Sequence, residues 1–281
     1  MRITSKTQLL CLLGHPVSHS KSPLMHNEQL ENLGIDAKYL AFDVLPENLG
    51  EAIKGLKSLG YLGANVTIPH KEEAMKYVDN LTDEAKNIGA INTIYIKDGK
   101  TYGDNTDGRG FILSLVNDGG FDPKDKIALI IGAGGASKAV ATKLLLAETK
   151  KIYLYDIDTV KMNSLKEHLM NFGKDTEVIT IKKDELNNTA KISELIVNCT
   201  PIGMKETDIT LIDENCFNNN QMVFDLIYNP EKTKLLQNAE KKGARILNGL
   251  GMLVYQGGLS FEKWTNKKPD TKKMFEIIKG V

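Results

Sequence analysis

The run Lys126-Ile127-Ala128-Leu129-Ile130-Ile131-Gly132-Ala133-Gly134-Gly135-Ala136-Ser137 decides the fold. Its first half is a continuous apolar stretch, as expected for a strand buried on both faces of a parallel sheet. Its second half is G-x-G-x-x followed by a small residue, Ser137, and the helical pattern of residues 137–146 begins there. The first glycine permits a tight turn, the second lets the backbone approach a pyrophosphate, and a small residue in the third position lets helix and strand pack closely. N–H groups at the helix N-terminus then face phosphate oxygens. Glycines also close turns for steric reasons alone, but a strand before and a helix after favour dinucleotide binding by Gly132, Ala133, Gly134, Gly135 and Ala136. The next strand, residues 151–155, leads into Asp156, about twenty residues on, where a carboxylate accepts hydrogen bonds from ribose hydroxyls. Such a carboxylate repels a 2′-phosphate, for which NADP sites usually supply an arginine. Ile157, Asp158 and Thr159 follow instead, and Lys161 reads as a solvated helix residue, so the expected cofactor is NAD in preference to NADP.

Downstream, a helix over residues 160–172 and strands over 177–181, 195–198 and 222–226 continue the βαβ rhythm of a doubly wound domain. Upstream, strands are expected at residues 8–14, 38–44 and 62–68, with helices at 23–33 and 46–59, the latter between Pro46 and Gly60. Pro69 is expected to open a further helix, residues 90–96 and 101–103 to form a hairpin about Asp98-Gly99, and residues 108–117 to be helical. The tail, helical over 250–264 and 272–278, is expected to return to the first domain. The fold class is α/β with a mainly parallel sheet: an N-terminal α/β substrate domain plus a doubly wound, Rossmann-like dinucleotide-binding domain. The expected boundaries are 1–106 completed by 249–281, and 107–248.

Composition excludes several classes. In 281 residues, 36 basic and 36 acidic side chains cancel, which argues against a sequence-independent nucleic-acid binder. A hydrophobic share of 41% argues against disorder. No apolar run approaches the ~18 residues of a membrane span, and the stretch from Leu9 to Leu13 is too short for a signal peptide. The expectation is a cytoplasmic protein with no membrane partner, monomeric or homodimeric. Three widely spaced cysteines make no disulfide framework. His15 and His19 have Pro16 between them and no carboxylate at metal-ligand spacing, so no metal site is expected. His26, His70 and His168 read as surface or packing residues, and Cys199 as a buried thiol.

The first domain carries segments rich in small polar residues. They are Gly14-His15-Pro16-Val17-Ser18-His19-Ser20-Lys21-Ser22-Pro23, Asn65-Val66-Thr67-Ile68-Pro69-His70-Lys71-Glu72, Gly89-Ala90-Ile91-Asn92-Thr93 and Gly103-Asp104-Asn105-Thr106-Asp107-Gly108. Each lies where an expected strand ends or a helix begins, the edge at which open α/β sheets bind ligands. Hydroxyls, amides, a lysine and a carboxylate there suit a small, oxygen-rich, anionic metabolite.

The ordered set H-S-x-S-P, N-V-T-x-P-x-K, G-A-x-N-T, D-N-T-D-G, G-A-G-G-A and Gly249-Leu250-Gly251-Met252-Leu253-Val254-Tyr255-Gln256 resembles the shikimate dehydrogenases over essentially the whole chain. The resemblance implies NAD(P)-dependent reduction of 3-dehydroshikimate to shikimate, with quinate as a related substrate in part of the family. It implies that Ser20 and Ser22 hold the substrate carboxylate, although Ser22 also suits an N-cap. It implies that Thr67, Asn92 and Gln256 bind ring hydroxyls, and that Tyr228 is a further substrate contact. Asn65 is expected to orient Lys71 or the substrate. Thr200, Leu226 and Gly249 match positions near the cofactor, the last two near the nicotinamide. The pair Asp156-Ile157 departs from the family's common NADP pattern.

Lys71, paired with Asp107, is the candidate proton donor to the oxygen on which charge develops during hydride attack. An ionised carboxylate beside an ammonium favours its charged form while burial disfavours it, so the pair acts either as a desolvated base or as a coupled dyad. Taken alone, Lys71 reads as a solvated lysine; the N-V-T-x-P-x-K context reverses that. Two other readings compete. A methylene-tetrahydrofolate dehydrogenase would need an aromatic platform that the H-S-x-S-P segment lacks. A catalytically silent dinucleotide-sensing regulator would have no need of both Lys71 and Asp107.

Overall fold

Strand β1 (Gln8–Gly14) buries both faces: Leu10 and Leu12 enter one apolar cluster, Cys11 and Leu13 another. This alternation is the period of a strand, and it makes β1 central to its sheet. The computed structural model, which describes residues 3–279, divides into two units, one of the residues up to Gly110 and those from Val254 onward, the other of Phe111–Leu253.

In the first unit β1 is followed by α1 (Ser22–Asn32), β2 (Ala37–Asp43), α2 (Leu49–Ser58), β3 (Gly63–Val66), β4 (Asn80–Leu81), α3 (Asp83–Ile88), β5 (Thr93–Lys97) and β6 (Lys100–Asp104). The sheet order is β2-β1-β3-β5-β6-β4. It is mixed: β1–β2, β1–β3 and β4–β6 pair in parallel, β3–β5 and β5–β6 antiparallel. Strands β5 and β6 form a hairpin whose loop residues, Asp98 (φ 51°) and Gly99 (φ 69°), have the left-handed backbone of a two-residue turn. Such a turn joins only antiparallel strands, and on its other edge β5 also runs against β3.

The helix expected from Pro69 is replaced by a turn and a 3-10 segment, Glu73–Tyr77. The Ile68–Pro69 peptide is cis, and His70 donates its backbone N–H to Thr67 O (2.9 Å). Asp79 then pairs with Thr101, accepting from its N–H at 2.8 Å, which fastens β4 to β6. Helix α3 starts at its N-cap Thr82, whose side chain accepts from Ala85 N–H, and ends at Gly89 (φ 72°).

The chain enters the second unit within α4 (Asp107–Leu113), which runs on into a π-type turn, Ser114–Asp118. There follow β7 (Ile127–Ile131), α5 (Gly135–Leu146), β8 (Lys151–Tyr155), α6 (Thr159–Met170), β9 (Glu177–Thr180), α7 (Leu186–Ile192), β10 (Leu195–Asn198), β11 (Met222–Asp225), α8 (Lys234–Lys241) and β12 (Arg245–Leu247). All pairings in the order β12-β11-β10-β7-β8-β9 are parallel. Along β7, Ala128 and Ile130 pack beneath Val140, Leu144 and Leu165 on one face, and Leu129 and Ile131 beneath Leu186, Leu235 and Leu236 on the other. That is why β7 reads as an unbroken apolar run. Helices α7 and α8 and strand β12 escaped the sequence reading.

The chain leaves the second unit within α9 (Leu250–Thr265) and ends in α10 (Thr271–Lys279). In the first unit, Phe261 and Trp264 of α9 join the cluster of Leu10, Leu12, Leu30 and Tyr39.

Candidate active site

Strands β1 and β3 pair in parallel, Leu13 against Val66, so the loops that follow them leave the same sheet edge. The first carries Ser20 and Ser22, the second Thr67 and Lys71. A Cβ on Gly14 would lie 2.3 Å from Thr67 Cγ2, so glycine lets the two loops approach. Ser20 Oγ accepts from Ser22 N–H (3.2 Å). The N-cap of α1 falls on Lys21, whose side chain makes no capping bond; Ser22 lies inside the first turn and is not the cap.

Lys71 Nζ donates to Asp107 Oδ2 at 2.6 Å, with the two side chains 15% and 5% exposed. Backbone bonds hold both ends of the pair: Ile91 N–H donates to Lys71 O (2.8 Å), and Asp107 N–H donates to Asn105 Oδ1 (3.0 Å). The second carboxylate oxygen of Asp107 accepts from Asn92 Nδ2 (2.8 Å). Asn92 Oδ1 in turn accepts from Thr106 N–H (2.8 Å) and the Thr93 hydroxyl (2.9 Å), which turns the amide nitrogen toward Asp107 and toward Gln256 Oε1 (3.0 Å). Lys71, Asn92, Asp107 and Gln256 therefore form one hydrogen-bonded group.

Asn65 does not orient Lys71 directly. It accepts from the Tyr39 hydroxyl (2.8 Å) and donates to Asn92 O (3.0 Å) and Ser260 Oγ (3.2 Å). Its amide is spent inside the unit and not on Lys71. Parity explains this: Asn65 pairs with Leu12, and both point to the side of Phe261 and Trp264.

In the second unit, Gly132 (φ 110°) makes the turn out of β7, and a Cβ there would lie 3.1 Å from both Ser137 Oγ and Thr200 Cγ2. Gly134 precedes α5 without a side-chain cap, and a Cβ on it would meet nothing within 4 Å. The first-turn N–H groups of α5 have no intrahelical acceptor, and open space over Gly134 lets a diphosphate reach them. The fold thus fits a dinucleotide at this loop. Asp156 Oδ2 accepts from Ala133 N–H (2.6 Å) and Oδ1 from Asp158 N–H (2.7 Å), which orients the carboxylate at the end of β8. Lys161 Nζ lies 3.5 Å from Asp158 Oδ2, and Ile157 is exposed. Gly249 lies so close to Leu226 that a Cβ would fall 1.9 Å from Leu226 O. Tyr228 is half-buried just beyond β11.

The family model described as "Shikimate dehydrogenase substrate binding domain" matches residues 12–94, and that described as "Shikimate 5'-dehydrogenase C-terminal domain" matches residues 249–276. A curated relative from Methanococcus maripaludis, named shikimate dehydrogenase (NADP(+)), is 46% identical over 278 residues, covering 98% of each chain. The chain belongs to the shikimate dehydrogenase family. A solved shikimate 5-dehydrogenase of Listeria monocytogenes, in complex with shikimate and NAD, is 34% identical with a TM-score of 0.91, covering 99% of this chain and 98% of that one. A quinate dehydrogenase of Corynebacterium glutamicum, in complex with NAD, is 28% identical with a TM-score of 0.91, covering 98% of this chain and 99% of that one.

As a member of the shikimate dehydrogenase family the chain is an oxidoreductase with a nucleotide cofactor. Sequence reasoning passed over the hydroxyls beneath its polar group. Ser260 Oγ lies 2.7 Å from Thr93 Oγ1 and 3.1 Å from Thr106 Oγ1, and all three residues are fully buried. Thr93 and Thr106 stood in the polar segments; Ser260, inside an apolar helix, gave no signal beyond being polar on a buried face. His26 is a packing residue, stacked on Tyr39 with ring centroids 4.5 Å apart, and burial pushes its pKa down to about 3. Cys199, expected to be buried, is half-buried, and desolvation still pushes its thiol up to about 12. Among the described residues no group of three or more His, Cys, Asp or Glu side chains is placed to hold a metal ion, and no helix is long and apolar enough to cross a membrane.

Proposed function

We propose that the chain interconverts 3-dehydroshikimate and shikimate with a nicotinamide cofactor, Lys71 and Asp107 moving the proton. The observation that carries this reading is the 2.6 Å Lys71–Asp107 pair, largely shielded from water at the sheet edge that also bears Ser20, Ser22 and Thr67. A surface ion pair would add little; a sheltered ammonium beside polar groups is suited to chemistry. In the reducing direction Lys71 stabilises the charge developing on the ketone oxygen and delivers the proton. In the oxidising direction the pair accepts the proton from the hydroxyl. Asn92 holds Asp107 by its second oxygen, so the carboxylate keeps Lys71 aimed while the proton moves. Ser20 and Ser22 bind the substrate carboxylate; Thr67, Asn92, Gln256 and Tyr228 bind its hydroxyls. A bound nicotinamide supplies or takes up hydride at the carbon that bears the reacting oxygen.

On the cofactor side, Gly132 to Ala136 hold the diphosphate, Thr200 borders the cofactor, and Leu226 and Gly249 line the nicotinamide end. Asp156 supports NAD over NADP. Its carboxylate is oriented by two backbone N–H groups, and Lys161, the cation in the next turn, leans on Asp158. That leaves net negative charge where a 2′-phosphate would sit. The relatives do not decide it: the curated ones are named for NADP(+), and of the solved ones some are bound to NAD and others to NADP.

The test is a two-by-two rate assay: shikimate or quinate with NAD or NADP, followed by reduced-nicotinamide absorbance. Fast shikimate oxidation with NAD is the expected result. An NADP preference would overturn the reading of Asp156. Comparable quinate rates would make this a dual-substrate enzyme. Bound cofactor without turnover on any combination would favour the silent sensor.

A further inference from the structure

Asp225, the last residue of β11, is fully buried, and the reaction described above does not use it. Its Oδ1 accepts from Asn198 Nδ2 (3.0 Å) and Ile227 N–H (3.1 Å), and its Oδ2 from the Thr233 hydroxyl (2.6 Å). All three donors are neutral. A buried carboxylate without a cation is costly, and here burial pushes its pKa up to about 6 against the opposing pull of Thr233, Ile227 and Asn198. A fold keeps such a group only where its bonds hold something that apolar packing cannot.

What it holds can be followed bond by bond. Asn198, oriented by Asp225, accepts through Oδ1 from Thr200 N–H (3.0 Å) and the Thr200 hydroxyl (2.7 Å). Thr200 Oγ1 then accepts from Ile202 N–H (3.2 Å), which sets the loop after β10. The bond from Ile227 N–H bends the chain just beyond Leu226, and Ile227 O accepts from Gly249 N–H (3.0 Å). Thr233 caps α8 through Leu236 N–H (3.4 Å) and packs against the site of a Gly203 Cβ at 3.4 Å. One carboxylate thus ties together the ends of β10 and β11 and the start of α8. Thr200, Leu226 and Gly249 each stand within two hydrogen bonds or one peptide of it.

We infer that Asp225 is a positioning residue for the cofactor, its ionised carboxylate fixing Thr200 through Asn198 and the Leu226–Ile227 bend directly. The inference rests on the assignment of those residues to the cofactor under the proposed function. Asparagine at this position keeps the volume but turns a donor toward Thr233, whose hydroxyl must then give up donating. Thr233→Val removes one donor to the carboxylate, and Thr233→Ser keeps it.

The test uses the full chain and titration calorimetry with three ligands, NAD, NADP and shikimate, alongside a thermal melt of each variant. Asp225→Asn is expected to weaken binding of the preferred dinucleotide at least about tenfold, the size of one lost charged hydrogen bond, and shikimate binding by clearly less, since only Tyr228 of the substrate contacts follows the bend that Asp225 holds. Thr233→Val is expected to weaken the same dinucleotide less, and Thr233→Ser to restore it. If Asp225→Asn does not fold, the Thr233 pair carries the test alone. Folded variants that bind the dinucleotide as wild type does, or that lose both ligands equally, would overturn the positioning role. Wild-type protein that binds shikimate but neither dinucleotide would instead defeat the cofactor assignment, and this inference with it.

Discussion

Lys71 reaches Asp107 because the chain turns at Thr67–His70 instead of beginning a helix, and because Ile91 N–H pins the Lys71 carbonyl. The side chain has little freedom to lose on meeting substrate, so its removal acts on the chemical step more than on binding. Lys71→Ala is expected to lower kcat at least ~100-fold, the usual scale of a lost acid–base group, with KM for shikimate changed only modestly. Steady-state kinetics check this, and near-normal turnover would remove Lys71 from the mechanism. The cysteines illustrate the opposite effect of environment. Burial pushes Cys11 and Cys199 up to about 12 and raises Cys216 as well, so the nucleophilic thiolate is scarce at neutral pH. Native protein is expected to react slowly with a chromogenic disulfide reagent, and all three thiols to react once unfolded in guanidinium. A rapid thiol in the native state would contradict the raised thiol pKa values.

At the level of elements, legibility followed whether an element's cause was local. Strand β7 and helix α5 could be read because an apolar run, a glycine turn and a small residue carry their own explanation. The hairpin could be read because Asp98-Gly99 states its turn type. The stretch between β3 and β5 could not. Strand β4 exists because Asp79 meets Thr101 across the sheet, a partnership invisible from residues 69–92 alone. The site divides in the same way. Loop residues at strand ends announced themselves as polar segments. Asn65 stood in one of them, yet strand parity turns it inward, and Ser260 answers it from a helix far along the chain. Gly63 shows how closely these elements meet: a Cβ there would lie 2.2 Å from Ile94 O and 2.5 Å from Trp264, whose Nε1 donates to that same carbonyl (2.9 Å). Since the obstacle includes backbone, Gly63→Ala is expected to destabilise by roughly 2–3 kcal/mol or more. An unchanged melting temperature would show that α9 packs less tightly on β3 than described.

On the scale of the whole molecule, net charge cancels, so pH acts through particular buried carboxylates, and two of them act in opposite senses. Burial works to raise the pKa of Asp104, but the Thr82 hydroxyl, Lys263 and Arg109 outweigh it and hold the group below its ordinary 3.8. The stability contributed by Asp104 is therefore present above that value and lost in stronger acid. Asp225 is raised by burial to about 6 from 3.8, so the folded chain holds this proton more tightly than the unfolded chain does. Its contribution is fully present below about pH 4 and is lost as pH rises through about 6. At neutral pH the ionised group works against the stability of its own unit while supplying the acceptors that fix Asn198 and Ile227. A variant without the titration isolates that effect from every other carboxylate. The unfolding free energy of wild type minus that of Asp225→Asn is expected to fall by roughly 2 kcal/mol between about pH 4 and pH 7.5, read from denaturant titrations at each pH. Wild type would hold its largest relative advantage in acid. A difference independent of pH would mean that the carboxylate is ionised at no cost, and the account of a buried anion held by neutral donors would have to be given up.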